Sequence, residues 1–410
     1  MAVPQNKSFL KSGHLPTLFA AFLYFDMSFM VWVLLGPLGV QIGKALHLDP
    51  AHKGLMVATP VLAGALLRIV NGLAVDRFGA KRTGIVAQVL VIVGLLAAWH
   101  LGIPDFRAVQ LLGIVLGLAG ASFAIALPLA SRWYPKEHQG TALGIAGAGN
   151  SGTVLAALFA PALGLALGFT NVFGLAALVM MLVLVAFILL AKDSPNHPAP
   201  QSIAAYLRVL ALRDTWLFML FYSVTFGGFV GLAASLAIYF HTQYGLAPVA
   251  AGYATAACVF AGSMFRPVGG FIADRFGGIR ALSVFYLVAA SALALVSIGL
   301  PTTALTLGTF VIAMLALGMG NGAVFQLVPI RFGREIGVMT GLVGMAGGVG
   351  GFYLASSLGY SKQFTGSYQA GFLIFAGLAL VAFAGLIAVK RRWRADFASG
   401  DVVDGAPVRI

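Results

Sequence analysis

Long apolar runs separated by short polar ones dominate this chain. Twelve runs reach the length that crosses a hydrocarbon layer, at roughly 16–42, 54–75, 83–101, 106–131, 140–167, 170–191, 214–242, 252–273, 281–299, 305–329, 337–359 and 370–390. A helix is the expected form of each, because a chain in lipid satisfies its backbone polar groups only within a helix or a closed barrel. About 20 helical residues span the ~30 Å of a bilayer core. The fold class expected is therefore an all-α polytopic membrane protein.

Composition agrees: 60% of the 410 residues are hydrophobic and 9% are charged, outside the range of soluble domains. The first run is too long for the core of a signal peptide and no small-residue cleavage site follows it, so it reads as a retained span. The single cysteine, Cys258, lies in an apolar run, which leaves neither a disulfide framework nor a thiol metal site. The net charge of +13 raises the question of nucleic acid, and its distribution answers it. With the N-terminus inside, 19 Lys and Arg residues fall on the cytoplasmic side and four (Lys44, Lys53, Arg107, Lys362) on the other. That asymmetry orients helices in a bacterial inner (plasma) membrane with both termini cytoplasmic; it does not recruit DNA.

Two cations remain, Arg68 and Arg266, each inside an apolar run and 198 residues apart. The same offset aligns Tyr24/Tyr222, Gly54/Gly252, Gly64/Gly262, Gly72/Gly270, Asp76/Asp274, Arg77/Arg275, Phe78/Phe276, Gly79/Gly277 and Arg82/Arg280 without a gap. The chain is thus a duplication: an N-terminal six-helix half (1–191), a linker (192–213), a C-terminal half (214–397) and a polar tail (398–410) expected to be disordered. In the linker, Pro195, Pro198 and Pro200 block helix continuation, and Ser202 is placed to cap a short amphipathic helix ending near Arg213. The basic segment 390–394 is expected at the anionic leaflet. Eight residues separate Arg68 from Asp76, about 12 Å of helix, which sets both arginines near mid-bilayer. A charge held there at a cost of several kcal/mol faces a cavity by default. Two such charges related by a repeat axis point to a central anion site, and the planar guanidinium fork suits a planar oxyanion. Pro267 should kink its helix near Gly262–Ser263.

GLAVDRFGAKR (72–82) and GFIADRFGGIR (270–280) resemble the loop signature of the major facilitator superfamily. The resemblance implies two six-helix bundles related by a pseudo-twofold axis. It also implies a latch role for Asp76, Arg77, Arg82, Asp274, Arg275 and Arg280, gating one face of the protein. GIAGAGNSGT (144–153) and GLVGMAGGVGG (341–351) resemble the paired signatures of the nitrate/nitrite porter family, over essentially the whole chain. That likeness implies an anion bound between Arg68 and Arg266 and stacked on Phe123, Tyr222 and Phe226. Asn150 is a further donor, and Gly147, Gly344 and Gly348 supply bare backbone to the site wall. Flat, weakly hydrated nitrate fits such a sandwich better than a tetrahedral anion.

Of twelve acidic residues only Asp26 reads as lying inside a span. A lone buried carboxylate is either neutralised by a structural partner or titrates in a proton path, so Asp26 is the candidate for proton coupling. The function expected is secondary transport of nitrate, with nitrite as co-substrate or counter-ion, by rocking alternating access. Proton-linked import is preferred over nitrate/nitrite exchange. The rivals are an oxalate- or formate-type carboxylate exchanger and a non-transporting nitrate sensor, for which the short tail leaves little room. With no nucleophile–base constellation and no His/Cys/Glu cluster, no enzyme activity, cofactor or metal is expected. The partners are the anion, protons and the bilayer, and the protein is expected to act as a monomer.

Overall fold

The computed structural model describes residues 9–195, 202–332 and 335–399. Among them are twelve helices long and apolar enough to cross a membrane: α1 Leu15–Trp32, α2 Pro50–Phe78, α3 Ala80–Leu101, α4 Phe106–Ser131, α5 Thr141–Leu167, α6 Phe169–Leu190, α7 Arg213–Tyr244, α8 Pro248–Phe276, α9 Gly278–Ser297, α10 Thr303–Arg331, α11 Gly337–Thr365 and α12 Gln369–Lys390. The fold is all-α, as the apolar pattern indicates. Departures from straight spans occur where the backbone chemistry changes. The first expected span (16–42) is a helix only to Trp32; Pro37 cannot donate, the chain turns, and a short helix Gly39–Ala45 follows. The α8 span breaks at Phe265, between Pro248–Met264 and Arg266–Phe276, slightly beyond the expected Gly262–Ser263. Pro267 sits in the first turn of the second piece, where its missing N–H costs nothing. The α5 span holds a 3₁₀ turn, Ala148–Ser151, in its glycine stretch. Gly152 is required there, because an added Cβ would collide with the Asp26 carbonyl of α1.

The linker helix is shorter than expected, Ile203–Leu210, and Ser202 caps it by accepting the Ala205 N–H at 3.2 Å. The tail beyond Ser399, residues 400–410, lies outside the described residues, while the helix of α12 continues to Ser399. The basic segment that ends α12 does not simply lie on the leaflet. Trp393 is buried and stacks on Phe218 (centroids 5.1 Å, 16°), and Arg392 pairs with Asp214. Asp214 is a second buried acid beside Asp26, against the expectation that Asp26 alone lies inside a span; it also takes Arg331 Nε at 2.7 Å. A carboxylate pays for burial only when paired, and two guanidiniums do this here.

The halves meet along α2/α11 and α5/α8, with α1 and α7 near the axis. Backbone contacts in this seam repeat with the 198-residue offset. A Cβ on Gly54 would lie 2.8 Å from Gly359 Cα and 3.1 Å from the Ala355 carbonyl. A Cβ on Gly252, the repeat mate of Gly54, would lie 2.7 Å from Pro161 Cγ and 2.6 Å from the Ala157 carbonyl; Pro161 and Ala157 are the mates of Gly359 and Ala355. A Cβ on Gly36 would lie 2.5 Å from the carbonyl oxygen of Ala234, its own mate. Position i against j, with j′ against i′, and an axial position against its own mate, is what a twofold axis produces. Small residues let helices approach this closely in lipid. All these contacts lie toward the far face, opposite the linker. Toward the near face, Cβ atoms on Gly144, Gly147 and Gly337 would meet nothing within 4 Å. The bundles are sealed at the far face and part, along α5, at the near one.

Gly359→Val tests this seal. A branched side chain between α2 and α11 is expected to lower stability by about 1–3 kcal/mol, the usual cost of overpacking, and to raise thiol labelling from the far face of a cysteine placed at Ile238. Unchanged melting and unchanged labelling would mean that the two helices are not in contact there.

Candidate anion-binding site

Arg68 is 2% exposed. Its Nη1 donates to the Gly344 carbonyl of α11 at 2.6 Å and its Nη2 to the Gly120 carbonyl of α4 at 3.2 Å. The first bond crosses the seam and ties one bundle to the other. Gly344 must be bare for this, since a Cβ would lie 2.8 Å from Nη1. By the repeat, Arg266 should make the matching bond to the carbonyl of Ala146, the mate of Gly344. It does not. Among the described residues Arg266 has no hydrogen-bond partner, and its Nη1 is buried and unsatisfied. The two repeat-related cations are therefore unequal: Arg68 is clamped through both Nη atoms with only its buried Nε left over, whereas Arg266 makes no hydrogen bond among the described residues.

Aromatic rings face both. The Arg68 guanidinium lies 5.1 Å from the Phe123 centroid and 5.5 Å from that of Phe226, and the Arg266 guanidinium lies 5.6 Å from that of Phe325. Tyr222 and Phe226, four residues apart on one face of α7, stack at 5.1 Å and 3°. Phe325 of α10 closes the ring set, meeting Tyr222 edge-on at 5.0 Å and Phe123 at 6.2 Å. Phe325 escaped the sequence reading; it is one of 31 phenylalanines and its repeat mate is Leu127, so neither composition nor duplication marks it. Trp32 was missed too. Its Nε1 donates to the Pro60 carbonyl at 2.7 Å and its ring lies parallel to Phe226 at 6.4 Å, in space left by Gly64 and Gly120.

The remaining expected residues divide. Asn150, 2% exposed, sits in the 3₁₀ turn with Oδ1 unsatisfied, and its carbonyl accepts from Thr153 Oγ1 at 2.7 Å and, across the seam, from Ser263 Oγ at 3.4 Å. Gly348 serves packing, since a Cβ there would lie 2.5 Å from Ala65 Cβ. Gly147 faces open space. Asp26 is buried but forms no ion pair with either arginine; it accepts Ser151 Oγ at 2.6 Å, and Ser151 follows Asn150 in the same turn. Among the latch candidates, Asp76 pairs with Arg132 of its own bundle at 3.1 Å. Asp274 is exposed without a described partner, because Arg331, one position past the mate of Arg132, is taken by Asp214. Arg77 and Arg275 lie over the rings of Phe78 and Phe276, and Arg82 and Arg280 are exposed. Gly79 and Gly277, at φ 88° and 94°, end α2 and the α8 span with backbone that favours glycine. Tyr206 of the linker helix reaches toward Gly341 of α11 (3.3 Å from an added Cβ) and toward Gly72 of α2 (3.7 Å). Burial, with Asp76 nearby, holds its hydroxyl above the usual tyrosine range.

Two permanent cations from opposite bundles and the rings of Phe123, Tyr222, Phe226 and Phe325 thus converge, an arrangement chemically able to receive a small anion. Residues 17–355 match the Major Facilitator Superfamily. The chain is 34% identical to "Nitrite extrusion protein" of Bacillus subtilis, over 87% of this chain and 89% of that one. It is 30% identical to "Probable nitrate/nitrite antiporter NarK1" of Thermus thermophilus, over 91% of each. It is 27% identical to "Probable nitrate transporter NarT" of Staphylococcus haemolyticus, over 87% and 92%. Among solved structures, a bacterial homologue of the human lysosomal transporter Spinster, inward-facing and unoccupied, superposes with a TM-score of 0.74 at 17% identity, over 95% and 99% of the two chains. The nucleoside transporter NupG gives 0.69 at 15%, over 92% and 99%; both share the fold. With the duplicated loop signature, the paired arginines and these relatives together, the chain belongs to the Major Facilitator Superfamily, in its nitrate/nitrite porter family.

Proposed function

We propose that the protein moves nitrate, with nitrite as co-substrate, through the membrane by alternating access, binding it between Arg68 and Arg266 with Phe123, Phe226 and Phe325 against its faces. The observation that carries this reading is the unequal arginine pair. Arg68 is already committed to two carbonyls, whereas Arg266 holds an unsatisfied buried Nη1, and a small anion supplies the missing acceptor. The printed names of the relatives, which include nitrate and nitrite, support the choice of anion. The far-face seal and the near-face gap correspond to one end state of a rocking cycle. We place both termini in the cytoplasm, on the Lys/Arg asymmetry, which makes this end state inward-facing.

Import of an anion against an inside-negative potential costs about 2.3 kcal/mol per 100 mV, so the cycle requires a coupled flux. Asp26 offers one. Its carboxylate accepts from Ser151 in the turn that carries Asn150, so gain of a proton at Asp26 is felt next to the anion site and not through a direct ion pair with an arginine. The second reading, nitrate/nitrite exchange, draws on the antiporter name of the Thermus thermophilus relative and makes Asp26 a structural partner of Ser151.

Four outcomes test these statements. In vesicles free of nitrite, an inward proton gradient should drive nitrate accumulation, and Asp26→Asn should abolish accumulation while leaving counterflow; normal accumulation by the variant moves the assignment to exchange. Arg68→Lys and Arg266→Lys should each weaken nitrate binding at least ~10-fold, since lysine keeps charge but loses the fork. Only Arg68→Lys should also cost stability, about 1–3 kcal/mol from the lost backbone bonds; equal melting of the two variants would contradict the asymmetry. Phe226→Ala and Phe325→Ala should weaken binding by about 1–2 kcal/mol, read by titration with labelled nitrate. Cysteines at Ser202 and Thr302 should label from opposite faces, Ser202 from the cytoplasm, and labelling from the same face would refute the orientation.

A further inference from the structure

On the far face, away from the arginine pair, the α2/α11 seam encloses a cavity of about 40 Å³ against α7 and the start of α12. Its polar lining is Lys53, Ser235, Tyr239, Thr242 and Tyr368. Ser235 is 7% exposed and its hydroxyl has no partner. A buried donor left unpaired costs free energy unless something occupies the space before it. The Tyr368 hydroxyl is engaged by Thr242, so Ser235 is the group that remains open.

Lys53 supplies the charge. Its stem lies along the short helix Gly39–Ala45, where a Cβ on Gly43 would come within 2.5 Å of Cε, so the bare backbone of Gly43 holds it in place. Among the described residues it has no ion-pair partner. The adjacent carboxylate, Asp49, is bound instead to His52, at 2.8 Å from its N–H and 2.7 Å from Nδ1, and these bonds keep Asp49 below the usual carboxylate range. A second cation stands at the rim: Lys362 Nζ lies 5.4 Å from the centroid of Tyr368. No carboxylate lines the cavity.

The duplication indicates that this chemistry is not needed for packing. The equivalent seam between α5 and α8 makes the same backbone contacts, yet carries Ala251 where the first has Lys53 and Pro37 where it has Ser235. Its polar mate of Tyr239, Gln41, gives Nε2 to the Pro161 carbonyl at 2.8 Å and leaves only an acceptor, Oε1, buried without a partner, and the mate of Thr242, Lys44, is exposed. One seam offers an anion only an acceptor oxygen, whereas the other holds a lysine and an idle hydroxyl around a small cavity.

We propose that Lys53 and Ser235 form an outer site for a small monovalent anion, occupied by the substrate in transit between the far face and the arginine pair. Fifteen residues of α2 separate Lys53 from Arg68, about 22 Å of helix, so the two sites are distinct. When the far seam opens, Gly54 and Gly359 part and the cavity becomes part of the vestibule; when it closes, the cavity is what remains. The transit role rests on the anion-transport reading above, whereas the site itself does not.

The test separates them. In oriented vesicles, Lys53→Gln and Ser235→Ala should each raise KM for nitrate offered at the far face about fivefold, as loss of one charged or polar contact does. The maximal rate, and KM at the near face, should stay unchanged, and Lys53→Arg should restore the wild-type value. An unchanged far-face KM, or a fall in maximal rate alone, overturns the proposal. Crystals of the wild-type protein grown in iodide give a readout that needs no transport. Anomalous density in the cavity, lost in Lys53→Gln, is expected. Density that persists in Lys53→Gln marks an adventitious ion only, and an empty cavity refutes the site. Iodide in the cavity of a protein that moves no nitrate would leave the outer site standing and sink the function instead.

Discussion

A guanidinium held in the membrane interior is the constraint around which the rest of this protein is arranged. Arginine at mid-helix costs about 2.5–3.5 kcal/mol even on scales that allow relaxation, and Arg68 is 2% exposed. The structure offsets the cost with carbonyl acceptors from two other helices. A helix carbonyl already accepts its own backbone N–H, so it can take a second donor only where side chains leave it bare. Gly120 and Gly344 meet that need, and Gly344 belongs to the glycine-rich face with which α11 crosses α2. The small residues of α11 therefore serve two purposes: they bring the bundles within van der Waals contact and they expose backbone to the cation.

Duplication doubles this solution only in part. Both copies place an arginine eight residues, a little over two helical turns, before the loop aspartate, and both end the span at a glycine of positive φ. The second copy breaks its helix at Phe265, directly before Arg266, so Arg266 sits in the first turn of a new helix segment instead of the middle of a long one. A break there detaches the position of its guanidinium from the register that seats Arg68. The missing bond to Ala146 follows, and so does the idle Nη1. Pro267 is the local cause: its ring excludes the residue before it from continuing a regular helix. The break at this proline thus accompanies a departure from the symmetry of the duplication, with Arg68 held by two carbonyls and Arg266 by none.

How much of this could be read along the chain depends on whether the information is local. Spans, repeat and the depth of the arginines were legible, because bilayer thickness imposes length and the 198-residue offset is a property of sequence alone. The superfamily loops were legible for the same reason. The acceptor for Arg68 was not, since Gly344 is 276 residues away and nothing in a glycine announces that its carbonyl will be used. Phe325 looked like any core phenylalanine until helix packing placed it against Tyr222 and Arg266. Asp214 and Trp393 were misjudged because a position at the end of a span was equated with exposure. In fact the helix that continues past α12 packs Trp393 on Phe218 near the start of α7, and both Trp393 and Asp214 are buried.

The pairing of acids at the near face follows from that same packing and bears on how the gap opens. The ion pairs described there stay within one bundle: Asp76 with Arg132, Asp214 with Arg331 and Arg392. Such bonds stiffen each half without opposing its motion relative to the other. The far face differs, for its seam is made of backbone against backbone and contains no described ion pair between bundles. Dispersion between close helices is broad but weak per atom, so the seal can part over a few ångströms without breaking a discrete strong bond. Among the described residues two hydrogen bonds cross the interface, Arg68 to the Gly344 carbonyl at 2.6 Å and the longer Ser263 to the Asn150 carbonyl at 3.4 Å, and the first is the charged one. In the cycle proposed above, an anion that draws Arg68 toward itself competes directly with that bond, and occupancy of the site would be coupled to release of the α2/α11 seam through one guanidinium.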